Sequence, residues 1–104
     1  MPRGCFAVRA EVPEGERARF DHWYETDHLP AALKVFGARR AWRCWSLSDP
    51  GVHVAFYEFD DAAQAEALLG SEQIKPLIED FDRVWGNRVI RRRAVLEVAQ
   101  EISA

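Results

Sequence analysis

The chain has 104 residues, with 14 Lys and Arg against 17 Asp and Glu, and its formal net charge of −3 is too mild for whole-body attraction to nucleic acid or to an anionic membrane. At this length it is most simply one domain spanning 1–104, and 48% hydrophobic residues with four tryptophans suffice for a core while leaving surface that gains from pairing with a second chain. No apolar run approaches the ~20 residues that span a bilayer, and "MPRGCFAVRAEV" turns charged too soon for a secretory signal, so the cytoplasm is the expected compartment.

The first predicted element is a strand over "CFAVRAEV" (Cys5 to Val12), where Phe6, Val8, Ala10 and Val12 alternate with Arg9 and Glu11. "PEGERARFDHWYETDHL" then changes to helical spacing, with Phe20, Trp23, Tyr24, Asp27 and His28 on one face. Pro30 is expected to end that helix or bend it. Gly37 offers a turn before a second strand, "RRAWRCWSL" (Arg39 to Leu47). The turn signal "SDPG" joins that strand to "VHVAFYEF" (Val52 to Phe59), which predicts an antiparallel hairpin.

Asp60 or Asp61 is placed to cap a helix over "AAQAEALL", with Gln64 completing a capping box if Asp61 is the cap. Gly70-Ser71 interrupts it. A further helix carries Ile74, Leu77, Ile78, Phe81, Val84 and Trp85 on one stripe, tolerates Pro76 in its first turn and stops at Gly86-Asn87. "RVIRRRAVLEVA" (Arg88 to Ala99) closes the chain as a strand in which Ile90, Ala94, Leu96 and Val98 alternate with Arg91, Arg93 and Glu97. The order strand, helix, strand, strand, helix, strand is the βαββαβ pattern of α+β ferredoxin-like domains, an antiparallel sheet with helices on one face.

Within that frame, "HWYETDHLP", "FGARRAWRCWSL" and "HVAFYEFDD" together resemble the dimeric α+β barrel superfamily, and its EthD-like branch in particular. The shared feature is a helix with Tyr24, His28 and Pro30 in a Tyr-x-x-x-His-x-Pro pattern, followed by a glycine turn. The resemblance implies two subunits that join their sheets into a barrel enclosing a cavity. It also implies a range of activities, among them cofactor-independent monooxygenases, cyclases and isomerases, so it bears on fold more than on reaction. The asparagine near the first strand that haem-degrading members resemble one another in is missing from "GCFAVRAEV", which argues against haem.

Tyr24 and His28 are four residues apart on a helix and can lie side by side, so they are the candidate catalytic pair, with imidazole, pKa near ~6.5, as proton-transfer group. The plainer alternative has His28 bonded to a backbone carbonyl near the helix end. Asp27, in the apolar stripe, needs a partner such as Arg9, Arg39, Arg43 or Arg91, or else orients His28. Trp23, Trp42, Trp45, Tyr57 and Phe59 either line an aromatic substrate pocket or belong to core and dimer interface.

His22 and His28 point to different helix faces and no HExxH or Cys/His cluster exists, so no metal is expected, and phosphate-cradling glycine loops are missing too. Cys5 and Cys44 lack redox spacing and are expected reduced and buried. The arginine run Arg91 to Arg93 alternates across a strand and is expected at a solvated edge or bridging to acidic helices. The resulting reading is a homodimer without cofactor that binds a small apolar, aromatic or polyketide-like molecule and transforms it by proton transfer or oxidation. The competing reading is a non-catalytic binding or assembly protein whose aromatics seal the dimer.

Overall fold

The computed structural model describes residues 2–104 as an antiparallel sheet with helices on one face, the α+β ferredoxin-like arrangement. The strands are β1 (Gly4–Glu11), β2 (Arg40–Trp45), β3 (Val52–Phe59) and β4 (Ile90–Glu97), in the order β2-β3-β1-β4. The helices are α1 (Arg17–Trp23), α2 (Leu29–Phe36), α3 (Ala62–Leu69) and α4 (Lys75–Trp85).

The two-residue alternation read in β1 sets which side of the sheet is core. Phe6, Val8 and Ala10 are buried beneath the helices, while Arg9 and Glu11 point to the other face. Cross-strand partners share a face, so the register Phe6↔Tyr57, Val8↔Ala55 and Ala10↔His53 carries the same inner face into β3. On β2 it continues through Ala41, Arg43 and Trp45. The six residues from Ser46 to Gly51 close the hairpin, with the Ser46 amide donating to the Val52 carbonyl at 2.8 Å.

β4 departs from expectation in its orientation. Pairing Val95 with Phe6, Arg93 with Val8 and Arg91 with Ala10 turns the arginines inward and sends Ile90, Ala94 and Leu96 to the open face. Its apolar alternation therefore serves the uncovered side of the sheet, which also holds Trp42, Val54, Phe56, Cys5 and Ala7. Cys5 is half-buried there and Cys44 is exposed, which corrects the expectation that both cysteines are buried.

Helix ends follow local chemistry. Gly37, with φ 67°, takes the left-handed conformation after α2 that other residues resist. The Asp61 carboxylate accepts from the Ala63 amide at 2.9 Å and caps α3. Ile74, Phe81 and Trp85 bury the stripe of α4, with Leu77, Ile78 and Val84 packed against it, and Pro76 sits harmlessly in the first turn. Pro30 does not end its helix, because the chain passes from α1 through a wide turn into α2 with helical dihedrals throughout.

Where β1 meets α3 there is no room for a side chain: a methyl group on Gly4 would lie 2.5 Å from the Ala62 backbone. Gly4→Ala is expected to destabilise by about 1–3 kcal/mol through overpacking, read as a lower urea midpoint. An unchanged midpoint would mean that α3 does not pack on the start of β1 as described.

Candidate active site

The residues Tyr24–His28 form one turn of π-helix, in which the Leu29 amide donates to the Tyr24 carbonyl five residues back. Pro30 explains the turn's position. In a regular α-helix its ring would press on the carbonyl of Thr26, and widening the preceding turn relieves that contact. The Thr26 hydroxyl donates to the His22 carbonyl at 2.8 Å within the same stretch.

A five-residue turn advances each residue less around the axis than a four-residue one. Tyr24 and His28 accordingly both face the sheet and are buried, whereas Asp27 falls short of the inner side and is exposed. Asp27 makes no ion pair among the described residues. Each arginine considered as its partner is engaged elsewhere: Arg9 with Glu11, Arg39 with Asp60, Arg43 with Asp21 and Arg91 with Asp82.

His28 is walled by aromatic rings. The Trp23 indole stacks on it at 4.5 Å with a 17° interplanar angle, Tyr24 meets it edge-on at 4.9 Å, and Phe81 approaches at 6.0 Å. Its Nδ1 is buried without a hydrogen-bond partner, so no backbone tether forms at that nitrogen. Tyr24 meets His28 through its ring edge, with no hydrogen bond between the two side chains. Beside the imidazole lies a hollow of about 20 Å³ bordered by Val8, Leu77, Ile78, Arg91 and Arg93. That is room for about one water molecule.

Behind Tyr24 stands a second buried imidazole, His53, with ring centroids 4.6 Å apart. Arg43 Nη1 lies 3.3 Å from His53 Nε2 and donates to Asp21 Oδ1 at 2.7 Å, and the same carboxylate oxygen accepts from Trp45 Nε1 at 2.7 Å. With Nε2 accepting from arginine, the His53 proton resides on Nδ1, which is also buried and unpaired. A chain of contacts thus runs from Asp21 through Arg43 and His53 to Tyr24 and Tyr57.

Solved structures share this architecture over nearly their whole length. An EthD family protein of Bacillus halodurans superposes with a TM-score of 0.66 at 20% identity, over 98% of this chain and 100% of that one. A candidate antibiotic biosynthesis monooxygenase of Bordetella bronchiseptica gives 0.71 at 10% identity, over 98% and 100%. SnoaB, a cofactor-independent oxygenase of Streptomyces nogalater, gives 0.66 at 12% identity over the full length of both chains. The chain has the α+β ferredoxin-like fold of these structures. No family model and no curated protein matches the sequence.

On this α+β framework, the residues singled out from sequence divide in two. Trp23, Tyr24, His28, Trp45 and Tyr57 gather between helices and sheet. Trp42 does not join them, since it lies on the opposite face of the sheet, stacked on Phe56 at 5.2 Å, and Asp27 points to solvent. Residues the sequence reading left out of the site are His53, Arg43, Arg91 and Arg93. The period-two spacing of His53 from Ala55 and Tyr57 was a usable signal, whereas the inward turn of the arginines depends on strand register. Among the described residues no group of three or more His, Cys, Asp or Glu gathers to hold a metal, and no helix is long and apolar enough to cross a membrane.

Burial dominates the titration of the site. It pushes the His28 pKa down to about 4, against a partial pull upward from Asp80, and that of His53 to about 4, where the Arg43 charge adds to the effect. Burial likewise raises the Tyr24 pKa to about 12, and Tyr57 is also raised. Both imidazoles and both phenols are therefore neutral near pH 7.

Unfolding returns each imidazole to its ordinary ~6.5, so between pH 6.5 and about 4 the unfolded chain binds protons that the folded chain refuses. Stability is thus full above pH 6.5 and falls toward pH 4, by about 1.4 kcal/mol per pH unit for each imidazole. Urea unfolding across this range is expected to show the slope, and His28→Gln or His53→Gln to reduce it by about one proton. Variants with the wild-type slope would show that these imidazoles are not held neutral by the fold.

Proposed function

We propose that the chain forms a homodimer through the open face of its sheet. We further propose that His28, held edge-on by Tyr24, acts as a general base on a small, largely apolar, aromatic or polyketide-like molecule, with no cofactor. The observation that carries the reading is the unpaired Nδ1 of a buried, neutral imidazole beside a hollow. A core histidine ordinarily finds a partner for each polar atom, because an unsatisfied one costs about 1–3 kcal/mol. Taking a proton from ligand would satisfy this nitrogen. The resulting anion would also offset the desolvation that holds the imidazole pKa down. Proton removal is the step common to an isomerisation and to an oxidation in which the carbanion formed meets dioxygen.

The lining supports the substrate class. Val8, Leu77, Ile78 and Phe81 give the hollow beside His28 an apolar wall, suited to a largely apolar body. A ligand larger than one water must part Leu77 and Ile78 of α4 from the edge of β4. The near-filled hollow favours the second reading, a non-catalytic dimer whose aromatics only pack. The unpaired nitrogen supports the first.

The homodimer rests on the open sheet face. Trp42, Val54, Phe56, Ala94 and Leu96 lie together there, with Leu96 47% exposed and Ile90 58% exposed at its margin. A stable interface needs about 800 Å² from each partner, a large share of so small a domain's surface. Around this apolar centre lie Arg9, Glu11 and Arg92, while Glu58 is held by Arg3 at 2.8 Å and by Arg40 at 2.6 Å.

Light scattering at low micromolar concentration is expected to show a dimer, and Phe56→Arg a monomer. A wild-type monomer would remove the barrel reading. For the site, phenols of two to four fused rings, each with and without a ring carboxylate, would be incubated with wild type and His28→Gln, following substrate absorbance and oxygen consumption. His28→Gln is expected to remain dimeric and to lose at least about 100-fold in rate. Equal rates in the two proteins, or no turnover of any such phenol by wild type, would defeat the assignment of His28 as base.

A further inference from the structure

β4 is the outermost strand on its side of the sheet, and two of its inward positions hold arginine where apolar side chains would fill a core. Arg93 is paired with Val8 and Arg91 with Ala10, and both strand partners are buried beneath the helices. The Arg91 guanidinium sits 3.9 Å from the centre of the Phe81 ring, its side chain only 13% exposed, with one carboxylate contact, to Asp82 Oδ1 at 3.1 Å. Arg93 makes no ion pair among the described residues. On α4 the other nearby carboxylate, Asp80, is engaged by Arg83.

Two arginines two residues apart on one strand face have Cα atoms about 7 Å apart, and their charges repel. Together they present ten N–H donors, and the protein supplies them one carboxylate contact. Both border the hollow at His28, whose remaining wall is the apolar set Val8, Leu77, Ile78 and Phe81. Paired positive charge at the mouth of an apolar hollow is what a carboxylate on an otherwise apolar molecule requires, since a guanidinium fork matches the two oxygens.

We propose that the ligand of the His28 site carries a carboxylate, clamped between Arg91 and Arg93, on a flat apolar body that lies against Leu77, Ile78 and Phe81. This rests on the reading of His28 as a ligand-facing residue. The hollow as it stands takes one oxygen-sized group, so the carboxylate reaches in while the body lies along the seam between α4 and the β4 edge. A negative charge placed there also strengthens His28 as a base, which ties the clamp to the proton transfer proposed above.

The test titrates 1-naphthoate and its neutral analogue 1-naphthamide into the full chain while His28 ring signals are followed by NMR, assigned by their loss in His28→Gln. Naphthoate is expected to shift the His28 signals with an affinity at least about tenfold above that of naphthamide. Arg93→Gln, a change at an exposed side chain that leaves the core intact, is expected to abolish that difference, and Arg93→Lys to retain part of it. If both molecules shift His28 with equal affinity, or Arg93→Gln leaves naphthoate binding unchanged, the carboxylate clamp is wrong and the His28 site stands. If neither molecule shifts His28, the ligand-facing reading of His28 fails and the clamp fails with it.

Discussion

The five-residue hydrogen bond from the Leu29 amide to the Tyr24 carbonyl organises the helical layer that holds His28. A proline in a continuous helix demands space one turn upstream, and here a widened turn provides it without breaking the helix. The same widening sets the rotational phase of the residues within it. Tyr24 and His28 turn toward the sheet, and Asp27 turns to solvent. Without the wide turn the carboxylate would lie on the margin of an aromatic core that offers it no partner.

Once His28 faces inward, the rings around it determine its chemistry. Trp23, Tyr24 and Phe81 exclude water, which holds the imidazole neutral, and no side chain bonds its Nδ1. His53 repeats the arrangement one layer deeper, with Arg43 and Asp21 linking it toward the surface. Aromatic pairs of this kind contribute about 0.5–1.5 kcal/mol each beyond burial, enough to offset unpaired imidazole nitrogens. The cluster joins aromatic packing with buried imidazole nitrogens that lack hydrogen-bond partners.

The two faces of the sheet are divided by charge as much as by hydrophobicity. The inner face under the helices admits arginine at its β4 edge, where guanidinium stacks on Phe81 and borders the His28 hollow. The outer face keeps Trp42, Phe56 and Leu96, for which a second chain of the same kind is the proposed cover. A small domain has too little interior to hide both sets of apolar side chains, so one face remains for association.

Much of this was determined by the sequence alone. Alternation in "CFAVRAEV" and "VHVAFYEF", the "SDPG" turn, the Asp61 cap and the stripe of α4 each act within a few residues, so composition and spacing suffice to predict the βαββαβ order and the placement of Tyr24 and His28 on one helix. What the tertiary structure decided involves phase and register. A π-turn changes which helical residues face inward, and its hydrogen bond differs from an α-helical one by a single residue, below the resolution of a hydrophobic stripe. Strand pairing decides which side of the sheet each alternating residue meets, so Trp42 went to the open face and Arg91 and Arg93 to the site. An alternating strand has two equivalent ways to present itself, and only the hydrogen bonds to its neighbour choose between them.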